Sequence, residues 1–413
     1  MKRISIGRFG PGWAVTVALC TSLAGCHHAD DAPWETFAQP AEAYKPQANS
    51  GNAWDGYMLA ANLASAAAGP MNKKGDLKPN EEPQFARRLQ NSVSVAMRAS
   101  TLPCHAEFRP QDPFLPRPSG IGLTAIGRAL GIQVKQAKEG DNANGAAQPL
   151  ITAQRMADHL AQGDADDALV GYWIASNARA QAAELLQRMD AQTLRNMGNA
   201  ILASLAGSPP PNQTVENEYK NMLLGVQFVQ NAYRSKDYPL LREAFYHQAD
   251  PAIEHLEGLR PSDRPAYFKG FAGEAKAYVD WALAALAVPA SERKPIDLSL
   301  TGERPWRRFS MHLFTPLTAF VEARDLHIAR SRLFALTCLA MAEGKATGKA
   351  PAEFVGLPEG STTDPYSGRP FPYHRAEREF QIYSVGADGR DDGGETKGRG
   401  LAPDLTIEPP AEN

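Results

Sequence analysis

The feature that most constrains this chain is a helical spacing of apolar residues that persists, with short breaks, from about residue 52 to residue 345. Apolar side chains recur every three or four positions, the period that places them on one face of an α-helix. Gly, Pro or small polar clusters separate most of these segments. We therefore expect a mainly α fold in which successive helices bury their apolar faces against one another.

The clearest of these segments runs from about Asp164 to Met189. Asp164, Asp166 and Asp167 open it, and negative charge in the first turn suits the positive end of a helix. Apolar residues then recur at helical spacing. The same pattern predicts helices over residues 83–99, 122–138, 151–161, 191–206, 215–234, 237–257, 264–287 and 315–343.

The residues from Met156 to Arg179 read as two helices joined at Gly163-Asp164, and locally they resemble one tetratricopeptide-like hairpin. No 34-residue period repeats this unit along the chain. We therefore expect an irregular helical-hairpin body, weakly tetratricopeptide-like, over residues 52–345.

Part of this body also resembles uncharacterised envelope proteins of environmental bacteria, from about Met97 into the 220s. The similar residues are Leu102-Pro103-Cys104, Gly163-Asp164 with Ala168-Leu169, and Asn217-Glu218-Tyr219. Because those proteins have no assigned activity, the resemblance supports the fold and implies no function.

Residues 346–413 follow a different pattern, rich in Gly, Pro and aromatic residues. Phe371 and Tyr373 alternate with polar residues before a charged turn at Ala376 to Arg378, and a second alternating run follows. Two short alternating runs around a turn predict a β-hairpin. We expect a small C-terminal α+β module formed by this hairpin and the acidic, Gly-rich segment after it.

The string from Asp364-Pro365-Tyr366 to Gly394 resembles the C-terminal part of the major pseudopilins of type II secretion systems, which bind calcium in an acidic loop. The resemblance implies that Asp388, Asp404 and the backbone carbonyl of Val385 are calcium ligands. Asp391 and Asp392 lie in the same loop and supply further oxygen ligands of the kind that calcium prefers. The alternative is a solvated acidic turn that holds no ion.

Two departures separate this chain from that family. The interval between Asp388 and Asp404 is longer than usual, which bears on the calcium site. The sequence also lacks the N-terminal pilin segment that drives filament assembly, which argues against a pseudopilin role.

The first residues have the layout of an export signal. Lys2, Arg3 and Arg8 precede an apolar stretch that is too short to span a bilayer. Leu23-Ala24-Gly25-Cys26 then resembles the lipobox of bacterial lipoproteins, which implies cleavage before Cys26 and lipidation of its sulfur. The alternative is an ordinary signal peptide whose cleavage site happens to precede a cysteine.

The lipobox implies a location and an organisation. Residues 1–25 are then the signal peptide, 26–51 a lipidated tether rich in Pro and small polar residues, and the lipid is the membrane anchor. Because His27 rather than Asp follows Cys26, the resemblance points to the outer membrane of the cell envelope. A formal net charge of −3 offers no basic surface for nucleic acid.

Export leaves Cys104 and Cys338 as the cysteines of the mature body, in an oxidising compartment that permits a disulfide. The sequence does not decide between a bridge joining these two residues and two buried free thiols.

No motif establishes an enzyme. Ser291 to Lys294 has the S-x-x-K form without its companion motifs, and the nine histidines include no zinc-binding spacing. We expect a binding or scaffolding protein with a protein or envelope-polymer partner. The rivals are an envelope hydrolase using His247, His255 or Glu254, and an accessory component of a secretion or pilus-like system.

Overall fold

Helices dominate the computed structural model, which describes residues 35–39, 44–68, 77–106, 118–296, 304–314, 317–376, 379–395 and 404–407. The predicted signal peptide and Cys26 lie outside these residues. In chain order the helices are α1 Ala53–Ala68, α2 Glu82–Arg88, α3 Gln90–Ala99, α4 Pro118–Glu139, α5 Ala147–Leu160, α6 Ala165–Ala182, α7 Ala191–Ala206, α8 Asn212–Ser235, α9 Tyr238–Ala244, α10 Asp250–Glu257, α11 Arg264–Leu286, α12 Arg307–Leu313 and α13 Leu317–Thr347.

A small antiparallel sheet follows the helices. Strand β1 is Tyr373–Arg375 and strand β2 is Phe380–Ile382, with Tyr373 opposite Ile382 and Arg375 opposite Phe380. The predicted fold class, a mainly α body with a C-terminal hairpin, is confirmed.

The predicted hairpin at Gly163-Asp164 is formed by α5 and α6. Asp164 is the N-cap of α6, where its Oδ1 accepts a hydrogen bond from the Asp167 backbone N–H at 3.0 Å. That bond satisfies one of the four N–H groups left open at the start of a helix. Gly171 lets the two helices approach closely, because a Cβ there would lie 2.9 Å from the Cα of Ala157.

The helical pattern over residues 237–257, which Pro251 is expected to kink or restart, is divided into α9 and α10. Tyr246 and His247 take left-handed backbone angles, with φ of 48° and 61°. Pro251, in the first turn of α10, explains the break, because its ring excludes the backbone of residue 247 from a continuous helix. Helix α9 therefore ends at Ala244, and α10 begins at Asp250.

The long helix α13 is buried on two sides. Phe334, Ala335 and Cys338 belong to the main core, which they share with α1, α4, α5, α6 and α7. Leu333 and Leu336 pack instead against Phe371 and Ile382 near the β-hairpin. Residues from Thr36 onward form one compact unit, in which α13 joins the helical body to the C-terminal module.

Cys104 and Cys338 are both free and buried. This is the free-thiol alternative of the two that the sequence left open. The Cys104 thiol lies 3.9 Å from the carbonyl oxygen of His159. Burial raises the pKa of Cys104 to about 12 and that of Cys338 further.

No helix among the described residues combines the length and the apolar character needed to cross a bilayer.

Candidate functional site

The first candidate site is the acidic loop, defined here as residues 385–395 together with Asp404. Ser384 and Leu405 exchange two backbone hydrogen bonds of 2.8 Å each, forming an isolated antiparallel bridge. This bridge carries Asp404 to Gly394 and Asp392 of the loop, which precede it by 10 and 12 positions in sequence.

Asp404 is the most buried carboxylate of the acidic loop, with 1 % of its surface exposed. Its Oδ2 accepts hydrogen bonds from the backbone N–H groups of Asp392 at 3.0 Å and Gly394 at 2.8 Å. Its Oδ1 is buried and has no hydrogen-bond partner among the described residues. A carboxylate oxygen buried in this way carries a free-energy cost unless a cation or donor meets it.

The electrostatic surroundings of Asp404 add to that cost. Burial raises its pKa, and the nearby Asp391 and Asp392 raise it further, against the lowering effect of the two backbone hydrogen bonds. Two further carboxylates therefore lie near enough to Asp404 to raise its pKa, and a cation there would relieve both the burial and the repulsion.

Asp391 is held by a different set of contacts. Its Oδ1 accepts hydrogen bonds from the Tyr383 hydroxyl at 2.8 Å and from the Gly393 backbone N–H at 3.0 Å. The Tyr383 hydrogen bond lowers the pKa of Asp391, which favours the ionised carboxylate. His374 Nε2 lies 3.2 Å from the same tyrosine hydroxyl. This chain of contacts fixes the position of Asp391 within the acidic loop.

The other predicted ligands lie at the start of the loop. Asp388 is exposed, and its Oδ1 accepts a hydrogen bond from the Arg390 backbone N–H at 3.1 Å. The backbone N–H of Val385 donates to Asp364 Oδ2 at 3.0 Å. The structure thus brings Asp391 and Asp392 to Asp404, while Asp388 makes a local turn contact.

Asp364 holds the start of the acidic loop by hydrogen bonds, and the sequence did not single it out as a site residue. It is fully buried and also accepts hydrogen bonds from the Ser384 hydroxyl at 2.8 Å and the Tyr366 backbone N–H at 3.0 Å. Its position before Pro365, where aspartates often bond to the backbone two residues on, was the available signal.

The acidic loop offers oxygen donors without a complete set of side-chain ligands. No group of three or more His, Cys, Asp or Glu side chains positioned to hold a metal ion occurs in the described part of the chain. Calcium accepts carboxylate, carbonyl and water oxygens in flexible geometry. The open Oδ1 of Asp404 fits such an ion.

The second candidate site is the α13 cavity, a space of about 230 Å³ between α5, α6, the start of α8 and α13. It is lined by Asp158, Ala161, Tyr172, Leu205, Ser208, Pro209, Pro210, Pro211, Thr214, Arg324, His327, Ile328 and Arg332.

A buried polar network forms one wall of the α13 cavity. His327 Nε2 lies 3.2 Å from Asp158 Oδ1, and Asp158 Oδ2 accepts hydrogen bonds from Ser204 and, at 3.0 Å, from Gln154. Burial works to raise the pKa of Asp158, but these hydrogen bonds and the imidazole outweigh it and lower the pKa. The carboxylate is therefore ionised. The His327 ring stacks on Tyr172 with 4.4 Å between ring centroids.

The order of groups in this network differs from that of a serine hydrolase. The carboxylate of Asp158 stands between the Ser204 hydroxyl and the His327 imidazole. In a Ser-His-Asp triad the imidazole contacts the hydroxyl and takes its proton. The network therefore lacks the hydroxyl–imidazole contact of that triad, and it forms part of the wall of the cavity.

Two arginines of α13 also line the α13 cavity. Arg324 lies 3.8 Å from Asp325, whose carboxylate is already bound by both terminal nitrogens of Arg293. Arg332 donates to the Thr363 carbonyl at 2.6 Å and forms no ion pair within the described residues. Burial, and then the positive charge of Arg324, lowers the pKa of Arg332 to about 10.

The residues proposed for a hydrolase lie elsewhere. His247 is exposed and 3.3 Å from Asp250, and His255 stacks on Tyr267 with 5.9 Å between ring centroids. None of them lines the α13 cavity. The signal for the actual cavity was the series of charged residues that interrupts the apolar pattern of α13, including Arg324, His327 and Arg332.

In comparisons with protein-family models, curated proteins and solved structures, nothing matches this chain. Its function is therefore inferred from the residues and their geometry.

Proposed function

We propose that this chain is a lipid-anchored protein of the bacterial cell envelope, whose helical body serves binding or scaffolding and whose C-terminal module is stabilised by a bound calcium ion. The lipobox at residues 23–26 supports the anchor. The observation that carries the calcium site is the buried Oδ1 of Asp404, for which the described residues supply no hydrogen-bond donor.

The ion would be held by Asp404 with Asp391 and Asp392, joined by the two ligands that the pseudopilin resemblance implies, Asp388 and the carbonyl of Val385. Its chemistry there is structural: a divalent charge neutralises neighbouring carboxylates and replaces their lost hydration. Because Asp404 immediately precedes Leu405, which bridges back to Ser384, the ion would tie this segment to the acidic loop that follows the hairpin.

The calcium site is tested by thermal unfolding of the full chain, purified in mild detergent, with calcium, with magnesium and with a chelator. A ligand that binds only the folded state stabilises it by about 2.7 kcal/mol at a hundredfold excess over its Kd. We expect calcium to raise Tm, magnesium to do so less, and Asp404→Asn and Asp391→Asn to remove the response. Asp280→Asn, on the exposed face of α11, is the matched control and should keep it.

An equal Tm with calcium and chelator would reject the calcium site, as would an undiminished response in Asp404→Asn. The anchor is tested separately by metabolic labelling with palmitate and by detergent-phase partition. We expect label on the intact chain and none on Cys26→Ala. Labelling that persists in Cys26→Ala would reject lipidation at this cysteine.

A further inference from the structure

We propose that the α13 cavity binds a small organic carboxylate, with its carboxylate group between Arg324 and Arg332 and its apolar part against Tyr172, Leu205 and Ile328. This inference goes beyond the proposed function by naming a ligand class for the helical body. It is independent of the acidic loop, so either can fail without the other.

The size of the cavity limits the ligand. A volume of about 230 Å³ equals roughly eight water molecules at about 30 Å³ each. Pockets for drug-sized molecules begin near 300 Å³. A small acid with one ring or a short branched chain fits this space, whereas a polymer segment requires a longer groove.

The charge of the lining favours an anion. Arg324 and Arg332 are eight positions apart on α13, two turns that present both side chains to the same cavity. The charge of each guanidinium is only partly compensated. Arg324 shares Asp325 with Arg293. Arg332 donates to a neutral carbonyl, and the attraction of Asp364 is outweighed by burial and by the charge of Arg324. The two cations repel each other, and an anion between them converts that repulsion into attraction.

The acidic residue of the cavity does not cancel this preference. Both carboxylate oxygens of Asp158 already have partners within the wall: Oδ1 contacts His327, and Oδ2 accepts hydrogen bonds from Ser204 and Gln154. Its negative charge is therefore largely met by donors already in place. The start of α8 lies at the cavity through Thr214, and the positive end of that helix adds to the attraction for an anion.

The remaining lining selects an organic acid over inorganic phosphate. Three consecutive prolines line one part of the cavity: Pro209, Pro210 and Pro211. Because proline has no backbone N–H, this segment presents apolar pyrrolidine rings and lacks the backbone hydrogen-bond donors that bind phosphate. Tyr172, Leu205 and Ile328 add apolar surface. A planar carboxylate matches the planar fork of a guanidinium, and an attached apolar group fills the rest.

The test is isothermal titration of the full chain, in mild detergent, with acetate, benzoate and phenylacetate, and with benzamide and inorganic phosphate as comparison probes. We expect saturable binding of benzoate or phenylacetate, weaker binding of acetate, and none of benzamide. Arg324→Gln and Arg332→Gln should each raise Kd about tenfold or more, because a charge-assisted hydrogen bond is lost.

Two further variants keep the result interpretable. Ile328→Trp fills the cavity and should abolish binding while leaving both arginines in place. Arg88→Gln removes an exposed arginine on α2 and should leave Kd unchanged. Equal binding of benzoate and benzamide, binding of phosphate alone, or no carboxylate binding at millimolar concentration would overturn the proposal. Unchanged affinity in both Arg324→Gln and Ile328→Trp would overturn it as well.

Discussion

His327 Nε2 lies 3.2 Å from the Oδ1 of Asp158, although 169 residues separate the two in sequence. Both side chains are nearly inaccessible to water, and they join α5 to α13 at the wall of the α13 cavity. Removing one member of a buried polar contact of this kind is destabilising, because the remaining polar groups are left buried without their partner.

Asp158→Ala should therefore lower the free energy of unfolding by about 3 kcal/mol at neutral pH, because His327, Ser204 and Gln154 all lose a buried partner. Since the folded pKa of Asp158 lies below its usual value, its contribution is present above the unfolded pKa and is lost as pH falls through the folded pKa. Chemical denaturation between neutral and acidic pH measures both effects. A difference between wild type and variant that does not shrink on acidification would contradict this account.

The Arg293 and Asp325 pair should show how far burial decides the value of an ion pair. Arg293 reaches Asp325 through both terminal nitrogens, and Asp325 exposes 2 % of its side chain. We expect Arg293→Gln to cost about 3 kcal/mol or more. Lys276→Gln, which removes the partner of the exposed Asp280, should cost about 0.5 kcal/mol or less. Equal costs in urea unfolding would argue against a structural role for the buried pair.

Two glycines should respond oppositely to the same substitution. A Cβ at Gly171 would meet the Cα of Ala157 at 2.9 Å, whereas a Cβ at Gly273 would meet nothing within 4 Å. We expect Gly171→Ala to destabilise by about 1 to 3 kcal/mol through overpacking of α5 on α6. Gly273→Ala should stabilise by about 0.5 to 1 kcal/mol, because alanine favours the helix. Thermal unfolding of both variants measures the signs.

Asp404→Asn should have effects of opposite sign with and without calcium. Because the folded pKa of Asp404 is raised, the ionised carboxylate costs stability as pH rises through that pKa, and stability is fully present below the usual aspartate pKa. In chelator at neutral pH, we expect the variant to match or exceed the wild-type Tm. In millimolar calcium the wild type should be the more stable of the two. A variant less stable than wild type in chelator would show that the charge itself is favourable there.

The two buried thiols should be unreactive in the folded protein. Burial raises the pKa of Cys104 to about 12, so almost no thiolate exists near pH 8. Cys338 is fully buried in the main core. Iodoacetamide followed by peptide mapping should leave both unmodified until the chain is unfolded, and reductant should not change Tm. A disulfide-linked peptide containing both cysteines would contradict the free-thiol structure.

The sequence predicted the elements whose signals are local. Residues 191–206 coincide with α7, the acidic residues from Asp164 mark the start of α6, and the alternating pattern predicts the hairpin of β1 and β2. These features depend on hydrogen bonds between residues close in sequence and on which face of a helix or strand is apolar. The spacing of apolar and polar side chains predicts both. The break between α9 and α10 was signalled by Pro251 but lies earlier, at Tyr246 and His247.

The acidic loop was predicted in part. Asp391, Asp392 and Asp404 were named as ligands from the loop composition and the resemblance, but spacing could not show that a bridge between Ser384 and Leu405 carries Asp404 to the loop. The spacing also could not identify Asp364 as the buried carboxylate that holds the start of that loop by hydrogen bonds. A contact across ten or more residues depends on the path of the chain between them.

By itself, the sequence determined the helical class, most helix positions, the C-terminal hairpin and the acidic character of its loop. Only the tertiary structure decided that Asp158 meets His327, that α13 packs against both the main core and the hairpin, and that Arg324 and Arg332 line one cavity. The physical reason is that local propensity acts over a single turn or strand pair. The partner of a buried charge is selected by packing and desolvation across the whole fold, where every unpaired charge carries a large free-energy cost.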